Sequence, residues 1–192
     1  MEFFIDTANI YDIRYAYERG WIEGVTTNPT LVAKEKKPFK EIIRNICEVI
    51  DGPVSAEVVS TEYQPMMREA HELASIHKNV VVKIPMTESG VMAVKTLAKE
   101  GIRTNVTLIF SALQAMMVAK VGASYVSPFI GRLDDICSNG MTLIEDIQTI
   151  FVNYGFKTKI LAASVRHPIH LLEAAKLGAD VATLPLDVMK KL

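Results

Sequence analysis

Residues 80–85 read VVVKIP. Four of the six are β-branched aliphatics, and the run ends in a proline. A short apolar run without polar alternation reads as a strand covered on both faces, the kind found in parallel sheets. The misfit is Lys83. Side chains alternate along a strand, so Lys83 shares a face with Val81 while Val82 and Ile84 occupy the other. A charge is costly to bury unpaired, so an ammonium group on such a strand asks for a reason.

Seven further runs of similar character precede and follow this one: EFFID (2–6), GVTT (24–27), VSAEVV (54–59), RTNVTL (103–108), SYVSPF (124–129), KILAAS (159–164) and DVATLP (180–185). Between them lie segments with apolar residues three and four apart, as in FKEIIRNICEVI (39–50), QPMMREAHELASIH (64–77), GVMAVKTLAKEG (90–101), SALQAMMVAKVG (111–122) and PIHLLEAAKLGAD (168–180). Gly101, Gly122 and Gly178 stand where helix C-termini are expected, and Pro168 suits a first helical turn. Alternating strands and helices predict an α/β fold with a parallel sheet. An open doubly wound sheet and a closed eight-stranded (β/α)8 TIM barrel both satisfy the pattern. The count of eight favours the barrel, with short loops, because 192 residues are few for it. One domain over 1–192 is expected, with only LDVMKKL after the last strand and the C-terminal helical segment therefore short or missing.

The formal net charge of -1 gives no reason to expect a nucleic-acid or membrane-surface partner. No apolar run reaches the length of a membrane span. MEFFIDTANIYD lacks the basic and apolar regions of a secretory signal, so a cytoplasmic protein is expected. Cys47 and Cys137 have no metal-type spacing and read as free thiols. His167 and His170 lack a third ligand and read as capping or surface residues, with no metal expected. Met66, Met67, Met116 and Met117 read as helix core filler.

Applying strand parity to every strand end gathers polar residues on one face. Asp6 falls with Phe4, Glu57 with Ser55, Lys83 with Val81, Thr107 with Asn105, Asn28 with Thr26, Ser127 with Phe129, and Ser164 with Ala162. With the apolar set facing the helices, this polar set faces the barrel interior at its C-terminal mouth, where barrels of this type keep their active sites. Seven strands ending in inward polar groups are hard to explain by packing, since each group needs a partner.

Lys83 is the sharpest of them. Apolar walls favour the uncharged form of an amine, which can attack a carbonyl and form a Schiff base. Glu57, Asp6 and Thr107 are then available to move the protons that such chemistry requires. Arg132 and Arg166 follow the sixth and seventh strands, beside Ser127 and Ser164, and suit a phosphate group. No phosphate-binding glycine loop of the nucleotide-binding types is present.

The segments GVTTNPTL (24–31), VVVKIPMT (80–87), TNVTLIFS (104–111), YVSPFIGRLDD (125–135) and LAASVRHP (161–168) occur in one order. Together they resemble the transaldolase family of the short microbial type, close to the fructose-6-phosphate aldolase group. The likeness runs from FFIDTANI (3–10) to ATLPLDV (182–188). It implies an eight-stranded α/β barrel and sugar-phosphate substrates. Lys83 matches the Schiff-base lysine and Asp6 the acid/base near it. Glu57 and Thr107 match a pair holding a catalytic water. Asn28 and Asn105 match side chains on the hydroxyls of a bound dihydroxyacetone unit, with Ser127 in the same pocket. Arg132, Ser164 and Arg166 match the phosphate-binding set.

Two positions divide the family. Transaldolases carry glutamate and phenylalanine where this chain has Glu57 and Phe129, and the aldolases typically carry glutamine and tyrosine. The resemblance therefore implies transfer of a dihydroxyacetone unit from sedoheptulose 7-phosphate or fructose 6-phosphate to an aldose phosphate, in the non-oxidative pentose phosphate pathway. The alternatives are an aldolase releasing free dihydroxyacetone and a non-catalytic sugar-phosphate binder. No cofactor is implied. The family's rings imply a homo-oligomer, a pentamer or decamer. Members usually continue past LPLDV with a helix that reaches a neighbouring subunit, and here LPLDV is followed by MKKL.

Overall fold

In the computed structural model, which describes residues 1–192, the strands are β1 (Glu2–Asp6), β2 (Gly24–Thr26), β3 (Val54–Glu57), β4 (Val80–Pro85), β5 (Thr104–Ile109), β6 (Tyr125–Pro128), β7 (Lys159–Ala162) and β8 (Val181–Leu184). The helices are α1 (Ile10–Tyr17), α2 (Pro29–Lys34), α3 (Phe39–Val49), α4 (Tyr63–Ala74), α5 (Glu88–Lys99), α6 (Ala112–Lys120), α7 (Ile130–Asp134), α8 (Gly140–Tyr154), α9 (Pro168–Lys176) and α10 (Leu186–Met189). Each strand pairs in parallel with the next, and β8 returns to β1 from Glu2↔Val181 to Ile5↔Leu184. The sheet is therefore a closed (β/α)8 barrel, and the open doubly wound alternative is excluded.

Strand parity separates two apolar layers. Ile5, Val82, Ile84 and Val106 point outward into the main core, where Ile43, Ile46, Leu97 and Ile144 of the helices cover them. Phe4, Val81, Tyr125, Leu161, Ala163 and Val181 fill the barrel interior. Gly24 makes room there, because a Cβ at that position would lie 2.5 Å from the Phe4 ring. A small residue facing a large one is how a narrow barrel is filled.

The helices follow from the same physics. On α3, Ile42, Ile43, Ile46 and Cys47 are buried while Lys40, Glu41, Arg44 and Glu48 face solvent. Ser111 and Gln114 form a capping box at the start of α6. Gly101, Gly122 and Gly178 adopt positive φ just past α5, α6 and α9, as their positions predict. His167 caps α9 ahead of Pro168.

Several expectations are corrected. Strand β3 stops at Glu57 and does not reach Val59, because the Val59 and Ser60 amides donate to the Glu69 carboxylate of α4. Met66 and Met67 are core residues, but Met117 is exposed. The segment between β6 and β7, to which the sequence reading assigns no helix, folds into two, α7 and α8. His170 is not a surface residue; it is buried.

Candidate active site

Side chains at the C-terminal ends of the strands line a cavity of about 270 Å³. Asp6, Thr26, Lys83, Thr107, Ser127 and Thr183 form its base and walls, and Asn28, Phe129, Arg132, Ala163, Ser164 and Arg166 form its rim. A second cavity of about 490 Å³ shares Asp6, Asn28, Lys83, Thr107, Phe129 and Arg132, and adds Glu57 and Leu108. Lys83 thus stands between the two.

Lys83 is buried, with its Nζ 2.9 Å from Glu57 Oε2 and 3.0 Å from the Thr27 carbonyl oxygen to which it donates. Both side chains come from directly paired positions, Glu57 on β3 and Lys83 on β4. The surroundings differ from the apolar walls the sequence predicts. Val81 and its inner-layer neighbours form an apolar floor, but the walls are polar and include a carboxylate. The lysine is partnered in the free protein.

Asp6 accepts from Thr26 Oγ1 at 2.7 Å, and Thr26 Oγ1 lies 2.6 Å from Thr183 Oγ1. Thr26 has one hydroxyl proton and gives it to Asp6, so Thr183 must donate to Thr26. Burial pushes the Asp6 carboxyl above the ordinary carboxylate range; the Lys83 charge and the Thr26 hydrogen bond pull the other way and do not cancel it. Thr183 was not among the sequence candidates. Parity along DVATLP, which pairs it with inward Val181, is the signal that could have found it.

Thr107 Oγ1 is buried without a hydrogen-bond partner in the protein, and other atoms of Thr107 line both cavities. Just after it the β5–β6 register shifts, and Leu108 takes a left-handed φ of 61°. This bulge brings Leu108 to the cavity wall, not to the outer face where simple alternation put it. Ser164 reaches the rim by a similar route. Ala162 belongs to the outer core and Ala163 to the inner layer, so parity alone would send Ser164 outward; its own φ of 62° turns it to the mouth.

Asn28 caps α2, its Oδ1 accepting from Leu31 N at 3.0 Å, which leaves Nδ2 as the atom free to meet a ligand. Asn105 is fully buried and does not line either cavity. Its Nδ2 donates to Ser55 Oγ at 3.1 Å, and its Oδ1 accepts from Ser127 Oγ at 2.7 Å. It therefore fixes Ser127 from behind. Phe129 packs edge-on against Phe110, and the Arg132 guanidinium lies 5.1 Å from its ring centre. Arg166 forms an ion pair with Asp135. Gly131 has no room for a Cβ, which would sit 2.2 Å from the Ser164 carbonyl oxygen, so helix α7, which bears Arg132, and the loop that leads to Arg166 touch through backbone.

The site thus offers a lysine beside a carboxylate, a second carboxyl that resists ionisation, a row of hydroxyls, and two guanidinium groups at the rim. No helix is long and apolar enough to cross a membrane.

A sequence model of the family Transaldolase/Fructose-6-phosphate aldolase matches residues 3–192. A protein of Kosmotoga olearia named "Probable transaldolase" is 60% identical over 192 residues, covering all of this chain and 88% of that protein. Proteins with the same name from Caldicellulosiruptor saccharolyticus and Geobacter metallireducens are 61% and 59% identical, again over the whole chain and 89% and 90% of their own lengths.

Proposed function

The chain belongs to the transaldolase/fructose-6-phosphate aldolase family, and we propose that it is a transaldolase working through a Schiff base on Lys83. The observation that carries this reading is the placement of Lys83, buried at the barrel mouth and 2.9 Å from the Glu57 carboxylate.

In this reading a ketose phosphate enters with its phosphate toward Arg132, Ser164 and Arg166. Lys83 gives a proton to Glu57, and the free amine adds to the C2 carbonyl. Glu57 returns that proton to the carbinolamine hydroxyl, which leaves as water held between Glu57 and Thr107, and the nitrogen lone pair forms the iminium. Asp6 takes the proton of the C4 hydroxyl as the C3–C4 bond breaks, and the bonding electrons pass into the iminium to give an enamine. The aldose phosphate departs: erythrose 4-phosphate from sedoheptulose 7-phosphate, glyceraldehyde 3-phosphate from fructose 6-phosphate. The enamine adds to the carbonyl of the other aldose phosphate, the new hydroxyl recovers the Asp6 proton, and water releases the product ketose. The iminium is the electron sink, so the chemistry requires no metal or organic cofactor.

Asn28 and Ser127 serve the hydroxyls of the held three-carbon unit, with Asn105 behind Ser127. Glu57 and Phe129 support transfer over release, as the transaldolase choices at those positions. The proposal extends to a homo-oligomer, pentameric or decameric, acting in the cytoplasm in the non-oxidative pentose phosphate pathway; family membership is its support.

Borohydride reduction with fructose 6-phosphate is the test. A dihydroxyacetone adduct on Lys83, absent from folded Lys83→Met, is expected. Turnover of fructose 6-phosphate should need erythrose 4-phosphate. Steady release of free dihydroxyacetone without an acceptor would make the protein an aldolase, and no adduct at Lys83 would leave a sugar-phosphate binder.

A further inference from the structure

We propose that His170 is a positioning residue for the phosphate site, holding the loop of Arg166 against the helix of Arg132; the assignment of that site rests on the transaldolase reading.

His170 lies in the first turn of α9 and is 6% exposed. Its two ring nitrogens face different elements. Nδ1 accepts from the backbone N–H of Arg166 at 3.3 Å, and Nε2 lies 2.7 Å from Asp134 Oδ2 on α7. A backbone amide can only donate, so Nδ1 carries the lone pair and the Nε2 proton points to Asp134. The other oxygen of Asp134 accepts from Gly140 N at 2.8 Å, at the start of α8. One neutral imidazole therefore joins the end of α7, the start of α8 and the loop after β7.

What that ring connects is the rim of the cavity. Asp134 is two residues beyond Arg132, and the hydrogen-bonded amide belongs to Arg166 itself. Without His170, Arg166 would keep the contacts of its side chain, namely the close approach of its Cγ and Nε to Gly131 and the ion pair with Asp135, but not this hydrogen bond to its backbone amide. A phosphate bound between two guanidinium groups depends on their separation. A connection that fixes both backbones acts on affinity without touching the ligand.

The charged and titratable groups around the ring are Asp134 from α7, Arg166 from the loop, and His167 at the cap of α9, whose ring centre is 3.8 Å away. Burial, with help from the His167 and Arg166 charges, holds His170 below the ordinary histidine range, while Asp134 opposes this. A neutral ring is what the Nδ1 acceptor role requires, since protonation would place a hydrogen against the Arg166 N–H.

The test uses the full chain and two variants. His170→Phe keeps the ring and removes both hydrogen bonds. Asp134→Asn keeps the Gly140 contact through its oxygen but turns an N–H toward Nε2–H; it stands at the surface and serves if His170→Phe does not fold. Inorganic phosphate binding is measured by calorimetry, and trapping of dihydroxyacetone, which has no phosphate, by borohydride. Both variants should bind phosphate about tenfold more weakly, an energy of the size of one hydrogen bond in a charged site. Their trapping should change by less than about twofold, since the chemistry at Lys83 does not use the rim. His170→Gln, which regains only the Asp134 contact, should fall between. Phosphate affinity unmoved in folded variants, or affinity and trapping falling together, would overturn the positioning role. Failure of the unaltered protein to trap dihydroxyacetone would instead sink the transaldolase reading, leaving the phosphate comparison intact.

Discussion

Lys83 Nζ and Glu57 Oε2 lie 2.9 Å apart on side chains from directly paired positions of adjacent strands. The pair is nearly shielded from water, so the carboxylate is both counter-ion and nearest proton acceptor for the amine. Glu57→Gln keeps the shape and a hydrogen bond but cannot take the proton. Transfer from fructose 6-phosphate to erythrose 4-phosphate should slow by about 100-fold or more. The share of free dihydroxyacetone per turnover should rise. Steady-state rates with and without acceptor decide it, and an unchanged rate would remove Glu57 from the proton path.

Asp6 should show itself in the pH dependence of stability. Its native carboxyl titrates above the unfolded value because burial disfavours its charge. The native state therefore binds more protons than the unfolded chain between those two values, and stability falls as pH rises through that window. Asp6→Asn removes the buried charge and can still accept from Thr26. Urea denaturation at pH 7 should find the variant more stable than the parent, with the gap closing as pH falls toward the ordinary aspartate range of about 4. Activity should drop by about 100-fold or more, through loss of the acid/base group.

Thr107 keeps a buried hydroxyl that nothing in the protein satisfies. Thr107→Val preserves shape and removes that group, so stability should hold within about 1 kcal/mol or rise. Turnover should fall, because the proposed mechanism has that hydroxyl hold the water beside Lys83. A variant that loses stability while keeping full turnover would assign the hydroxyl to packing.

Gly24 and Phe4 share one space inside the barrel. Gly24→Ala should cost about 1–3 kcal/mol by overpacking. Adding Phe4→Leu should recover part of that loss, since the ring is what the new methyl meets. Denaturant midpoints of the two single variants and the double variant measure the coupling.

The strands and the inward set were legible because both depend on local pattern. Continuous β-branched runs mark strands covered on two faces, and a period of two assigns Asp6, Glu57, Lys83, Thr107 and Ser127 to the interior without coordinates. Thr183 was equally readable by that rule. Leu108 and Ser164 were not, because parity holds only while the backbone stays extended. A bulge in β5 and a left-handed residue after β7 break it, and both depend on the neighbouring strand and loop. Ala162 keeps the alternation, but the run ILAA is apolar on both faces and does not say which face is the inner one. The fitting of Gly24 against Phe4 and the burial of His170 likewise involve residues distant in the chain.

The sequence by itself determined the alternation of strands and helices, the face on which Lys83 lies, and the family resemblance, since each rests on residue type and spacing. Tertiary structure decided that the sheet closes and that Lys83 sits against a carboxylate and a carbonyl. It also decided that Asn105 supports the pocket from behind and that His170 joins the loop of Arg166 to the end of the helix that bears Arg132. The physical reason is one of range. Periodicity fixes which way a side chain points, but its partner, and so its charge and reach, is set by groups that only folding brings within 3 Å or so of it.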